Sequence, residues 1–297
     1  MKKIDMHVHT RAKKGITYIG SNTTYATPEE IISMYDRLGV EKGVIMPSPS
    51  PESSVCPQSA EDVIDIIEKY PNRFYWFCNI APRPGKNSPD TDFSYFLNYY
   101  KKKGAKGIGE VTANLYFDDP LVLNLFKHVE KCKMPLTFHM AHKKNDCYGL
   151  IDDLGLPRLE KALSMFPKLK FLAHSQTYWA EITSDVNDIT RKGYPTGKIH
   201  PGRGVELMRK YPNLYGDMSA GSGFNAITRE PEFGYSFLEE FNERLLYGTD
   251  ICSPENDRLP FFGFSFWLDE ACANGKISKT TYENICRNNA LRLFGEI

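Results

Sequence analysis

Short apolar or β-branched runs alternate along the chain with longer stretches in which apolar residues recur every three or four positions. Eight runs read as strands: residues 2–9, 42–47, 73–80, 105–112, 134–139, 169–174, 213–219 and 244–248. Strands that alternate with helices predict a parallel sheet with crossover helices, and eight are enough to close it. The intervening segments carry helix signals, clearest at Thr27-Pro28-Glu29-Glu30. There Thr27 can cap, Pro28 suits the first helical position and Glu30 completes a capping box. Ile31, Ile32, Tyr35 and Leu38 follow at helical spacing. Ser59 opens a second helix that Tyr70-Pro71 stops, and Ser278 opens the last, which ends near Phe294-Gly295. The expected fold is one (β/α)8 TIM barrel, an α/β architecture spanning residues 1–297.

Helices return to strands through short turns, three of them built on a Tyr-Pro or Phe-Pro plan at Tyr70, Phe166 and Tyr211. The segments after strands differ: residues 10–26, 140–154, 176–202 and 251–260 are long and rich in polar and aromatic residues. In a barrel, the loops after the strands build the active site.

Composition narrows the function classes. Apolar residues at 41% and charged residues at 25% exclude a disordered chain. Lys and Arg number 37, as do Asp and Glu, so no overall field draws the protein to nucleic acid or to an anionic bilayer. No apolar run approaches membrane-spanning length, and the N-terminal stretch lacks the pattern of a secretion signal. Seven scattered cysteines without CxxC spacing read as free thiols in a reducing cytoplasm. Cys252, close to Asp250, reads as a packing residue. The expected partner is a small-molecule substrate, with no nucleic acid and no membrane; a homo-oligomer is compatible with the reading.

The polar residues at the strand ends carry the chemistry. His7 and His9 are two apart, so in a regular strand both face one side. His139 ends the fifth strand, His174 the sixth, Asp250 follows the eighth, and Glu110 lies near the end of the fourth. One barrel end would gather all six, which predicts a metal site. Asp5 shares the histidines' parity and reads as a partner that orients a ligating ring. His128, His142 and His200 fall on a helix and in loops, and read as packing or solvated residues. Tyr116, Phe117, Tyr178 and Trp179 lie after strand-end candidates and could wall a substrate pocket.

Asp5-Met-His7-Val-His9, Phe138-His139, Ala173-His174-Ser175 and Tyr247-Gly-Thr-Asp250, in this order across nearly the whole chain, resemble the amidohydrolase superfamily. The branch most similar includes aminocarboxymuconate-semialdehyde decarboxylase and many uncharacterised amidohydrolase-2 proteins. The resemblance implies that His7, His9, His139 and Asp250 ligate one divalent ion and that His174 acts beside it. Glu110 departs from that single-metal pattern and looks more like the strand-four glutamate of the TatD branch, which can bridge a second ion. Arg11 completes His7-Val-His9-Thr-Arg11, similar to dihydroorotase-like amidohydrolases, where the arginine holds a substrate carboxylate.

Nitrogen and carboxylate ligands suit Zn²⁺, with Mn²⁺ or Fe²⁺ as substitutes. The expected function is a metal-dependent hydrolase acting on an amide, lactone or ester of a small molecule, carboxylated if Arg11 binds it. Asp250 would carry the proton and His174 would steady the developing charge, while Arg11 and Tyr178 would touch substrate. A non-oxidative decarboxylase or hydratase of the same branch is the alternative. A TatD-like phosphodiesterase and a non-catalytic binding barrel rank below it.

Overall fold

Thr27 and Ser59 show how directly local sequence starts the helices. Each side chain accepts from the backbone N–H three residues on, and the carboxylates of Glu30 and Asp62 reach back to the cap backbone. Gly39, in the left-handed region, ends the helix Pro28–Leu38 and turns the chain into the next strand within one residue. The computed structural model describes residues 1–18 and 20–297.

Among the described residues the nine strands are β1 Lys3–Val8, β2 Val40–Ile45, β3 Phe74–Trp76, β4 Ile108–Val111, β5 Leu136–Ala141, β6 Leu150–Ile151, β7 Phe171–His174, β8 Leu214–Asp217 and β9 Leu245–Leu246. All pair in parallel, in the orders β1-β2-β3 and β4-β5-β7-β8-β9. Backbone hydrogen bonds join the two sheets into a ring. Cys78 N donates to Gly107 O at 3.0 Å and Gly109 N to Cys78 O at 2.9 Å, while Met6 N donates to Tyr247 O at 3.0 Å and Asp250 N to His7 O at 2.8 Å. The eight-stave TIM barrel expected from the sequence is the fold. The short β6 is an addition: it pairs with the end of β5 and stiffens a segment read from sequence as loop.

Two apolar layers hold the barrel. The larger lies between strands and helices, and the smaller, Ile4, Met6, Val44, Met46, Phe77, Leu172 and Leu246, fills the lower interior. Ala290 of the last helix, Asn289–Phe294, completes this inner cluster, with Leu291, Leu293 and Phe294 packed against it. No helix among the described residues is long and apolar enough to cross a membrane.

One irregularity decides which side chains reach the site. The register of β1 against β2 slips between Asp5 and Val8, so the alternation of faces breaks there. Ile4 and Met6 point into the lower interior, and His7 and His9 point into the upper interior. Asp5 therefore faces the helix layer, where its Oδ2 accepts from Tyr35 Oη at 2.7 Å and Thr249 Oγ1 at 2.6 Å. The expectation that Asp5 lies on the histidine side is corrected by this slip.

Candidate metal centre

His7 and His9 meet at the mouth with their Nε2 atoms 3.1 Å apart. Each ring is held from behind: His7 Nδ1 lies 2.6 Å from Asp217 Oδ2, and His9 Nδ1 donates to Met46 O at 2.8 Å. Both partners are acceptors, so the Nδ1 positions carry hydrogen and the Nε2 positions converge on one point. Two nitrogens facing at this distance need a positive species between them.

Two carboxylates close on the same point. Asp250 Oδ1 lies 3.7 Å from His7 Nε2 and 3.5 Å from His9 Nε2, and Glu110 Oε2 lies 3.9 and 3.7 Å from them. Ligand atoms about 2.0–2.2 Å from a tetrahedral ion stand about 3.3–3.6 Å from one another. The donor set thus has both the chemistry and the spacing of a divalent cation's ligands. Among the described residues two overlapping groups satisfy a metal-binding spacing, His7 with His9 and Asp250, and His7 with Glu110 and His174.

His174 enters from the end of β7, its Nδ1 on Ser219 Oγ at 3.0 Å and its Nε2 3.6 Å from Glu110 Oε1 and 3.8 Å from Asp250 Oδ2. His139 stands one step behind. Its Nδ1 lies 2.6 Å from Glu110 Oε1, Tyr148 packs on its ring at 4.3 Å between centroids, and it belongs to neither ligand group.

The charges are tightly balanced. Burial works against charge on His7, but the carboxylates of Asp217, Asp250 and Glu110 outweigh it and hold the ring's pKa up at about 10. Burial, reinforced by His7, presses His9 down to about 4 and His174 down to about 3. Burial pushes the Asp250 carboxyl up to about 7 against the pull of His7, with Glu110 and Asp217 adding to the rise. Glu110 and Asp217 stay below their ordinary values, because neighbouring imidazoles outweigh the cost of burial. Three carboxylates facing mainly one imidazolium leave negative charge that a divalent cation would match.

Arg11 lies on the wall of a cavity of about 510 Å³ whose lining also includes Tyr18, Tyr25, Ser53, Ser54 and Tyr148. Its guanidinium stacks on Tyr25 at 4.6 Å and donates to Cys56 O at 2.5 Å. Tyr148 joins this cavity to the His139 ring. Tyr178 is elsewhere. The short helix Gln176–Ala180 turns it into the apolar core, fully buried beside Trp179, so packing replaces the substrate contact expected of it. Phe117 and Trp179 are likewise buried, and Tyr116 stacks with Arg158. Burial and the nearby Asp250 push the Cys252 thiol up to about 12, in keeping with a packing residue. His128 bonds Ser94 and His200 pairs with Asp185 at the surface.

Asp217 is the residue of the candidate centre that sequence reading passed over. It closes β8 in Tyr215-Gly-Asp217-Met-Ser219, and a carboxylate at a strand end was the available signal. It, and not Asp5, holds the His7 ring from behind.

No protein-family model and no curated protein sequence matches the chain. Solved structures do. An uncharacterised TIM-barrel protein from Bordetella bronchiseptica has 16% identity and a TM-score of 0.66, the alignment covering 100% of this chain and 99% of that one. A probable 2-pyrone-4,6-dicarboxylic acid hydrolase from Acinetobacter baumannii, with citric acid bound, has 13% identity and a TM-score of 0.59, covering 99% and 100%. A 2,6-dihydroxybenzoate decarboxylase from Rhizobium has 17% identity and a TM-score of 0.59, covering 99% of each chain. At these identities the likeness establishes the shared TIM-barrel fold.

Proposed function

We propose that this chain is a metal-dependent enzyme of the amidohydrolase superfamily, a hydrolase of an amide, lactone or ester in a small carboxylated molecule. The observation that carries the reading is the convergence of His7 and His9 Nε2 on Asp250 and Glu110, with both rings fixed from behind. His7, His9 and Asp250 would hold one divalent cation, Zn²⁺ by the chemistry of the donors, with Glu110 within reach of it or of a second. When bound, such an ion lowers the pKa of water to about 7 and polarises a carbonyl.

Asp250 takes the proton of the attacking water and returns it to the leaving group. A carboxyl raised by burial suits both transfers near neutral pH. His174, kept neutral, faces the centre through Nε2 and steadies the carbonyl oxygen. His139 and Asp217 hold Glu110 and His7 in place. Arg11, beside the aromatic wall of the cavity, is the anchor for a substrate carboxylate.

Decarboxylation is the second reading. It is favoured by the same Arg11 and tyrosine-lined cavity, which would also suit a carboxylated phenol, and by the decarboxylase among the similar folds. Elemental analysis of wild type and the His7→Ala/His9→Ala variant, with turnover of a panel of lactones, amides and carboxylated aromatics, tests both. Bound metal lost in the variant and hydrolysis in wild type are expected. Release of CO₂ instead would select the second reading, and full metal in the double variant would sink the proposed centre.

A further inference from the structure

The loop between β5 and β6 holds a cluster that the candidate centre does not use. Within six residues, His142, Asp146 and Cys147 come together: His142 Nε2 lies 2.7 Å from Asp146 Oδ2, and its Nδ1 lies 3.4 Å from Cys147 Sγ. An ionised Asp146 can only accept, so Nε2 carries the hydrogen and Nδ1 turns its lone pair to the thiol. Nucleophile, base and orienting carboxylate thus stand in hydrogen-bonded order. The His142 side chain is only 8% exposed, while Cys147 is half-buried. Asn114 braces the loop, donating to Cys147 O at 2.8 Å and accepting from Asn145 N at 2.9 Å. Cys147 opens on a cavity of about 630 Å³ that Arg83, Asn114 and Lys144 also line. Among the described residues it is the one thiol hydrogen-bonded to an imidazole.

We propose that Cys147, His142 and Asp146 form a second reactive site, a nucleophilic thiol that exchanges with low-molecular-weight disulfides. Burial pushes the Cys147 thiol above its ordinary value, so its reactive form is reached by proton transfer to His142. In the step, His142 Nδ1 takes the thiol proton and Asp146 answers the imidazolium. The thiolate pair forms a new S–S bond to one sulfur of the disulfide. The old S–S bond breaks, its pair leaves on the other sulfur, and that thiolate takes the proton from His142. The products are a mixed disulfide on Cys147 and one small thiol. Tyr148, next in sequence, packs on His139, so the modified side chain would sit one residue from the wall of the candidate centre.

The test ranks the thiols with dithiodipyridine, following thiopyridone release and locating the label by peptide mass mapping. Exposure alone puts Cys56 first, since it is the exposed cysteine and Cys147 is half-buried. The proposal puts Cys147 first, by about tenfold or more. It also expects His142→Gln and Asp146→Asn to slow Cys147 while the Cys56 rate, the internal gauge of folding, stays unchanged. Labelling of Cys56 ahead of Cys147, or an undiminished Cys147 rate in His142→Gln with Cys56 unchanged, overturns it. Should His142→Gln alter the Cys56 rate, Asp146→Asn decides by the same criterion.

Discussion

The barrel interior has two halves built by opposite means. Its lower half is apolar, with Phe77, Leu172 and Leu246 fully buried and the last helix closing the bottom. Its upper half is polar, with His7, His174 and Asp217 at most 2% exposed and Asp250 partly exposed at the mouth. β1 feeds both, through Ile4 and Met6 below the register slip and His7 and His9 above it. Burial of area stabilises the lower half and needs no particular partner. In the upper half, each buried polar atom depends on a named neighbour, and the set carries negative charge that a cation would balance. Substitutions should therefore separate: below, they cost fold and spare chemistry; above, they cost chemistry and spare fold.

The largest effect is expected at Asp250. Asn keeps the shape and a ligand oxygen but cannot act as a base near neutral pH. Asp250→Asn should retain much of its metal and its melting temperature while losing about 10²- to 10⁴-fold in kcat. Near-wild-type turnover in the metal-loaded variant would move the proton-transfer role to His174. The mirror experiment is Phe77→Ala. This ring packs against Gly107 and Phe294 beneath the site, and its loss should cost about 3–5 kcal/mol in denaturant unfolding. Metal bound per folded molecule should not change. Loss of metal in proportion to stability would erase the distinction between the halves.

The same division explains what could be read from the sequence. Eight strands and the caps at Thr27, Ser59 and Ser278 were legible because propensity, turn chemistry and periodicity agree there. The strand-end positions of His7, His9, Glu110, His174 and Asp250 were legible because each follows an apolar run. The slip in β1 was not, since a bulge leaves no mark in residue type, and Asp5 was put on the wrong face as a result. Tyr178 was misplaced because proximity to His174 in sequence says nothing about which way a short helix turns. Asp217 was missed because its role depends on a partner 210 residues away.

A smaller effect is expected at Asp217. Asn keeps an acceptor for His7 Nδ1 but loses the charge that would make the ring a stronger ligand in the proposed centre. Asp217→Asn should weaken metal binding about 10- to 100-fold, measured by competition with a chelator, at little cost to folding. Unchanged affinity would make Asp217 a packing partner only.

The last effect, and the most diagnostic, is that of pH on wild type. The cation and protons compete for the same atoms. His7, held up at about 10 by Asp217, Asp250 and Glu110 against burial, carries a proton through the neutral range that must leave before Nε2 can ligate. Because this pKa is raised, the proton is favoured below about 10, and metal affinity should rise about tenfold per pH unit from about 7 upward. Below about 7 burial also keeps a proton on Asp250, so two protons must leave and the slope should steepen towards about a hundredfold per unit. His9 and His174, pressed down to about 4 and about 3, are already neutral there and add nothing to either slope. The apolar cluster below contributes no titrating group to this range. Apparent Kd measured against a chelator of known affinity, from about pH 6 to about pH 9, should therefore show one break near neutrality with the steeper limb on the acid side. A flat profile would mean that metal binding displaces no proton from His7, and the polar half would then lack the charge imbalance that sets it apart from the apolar half.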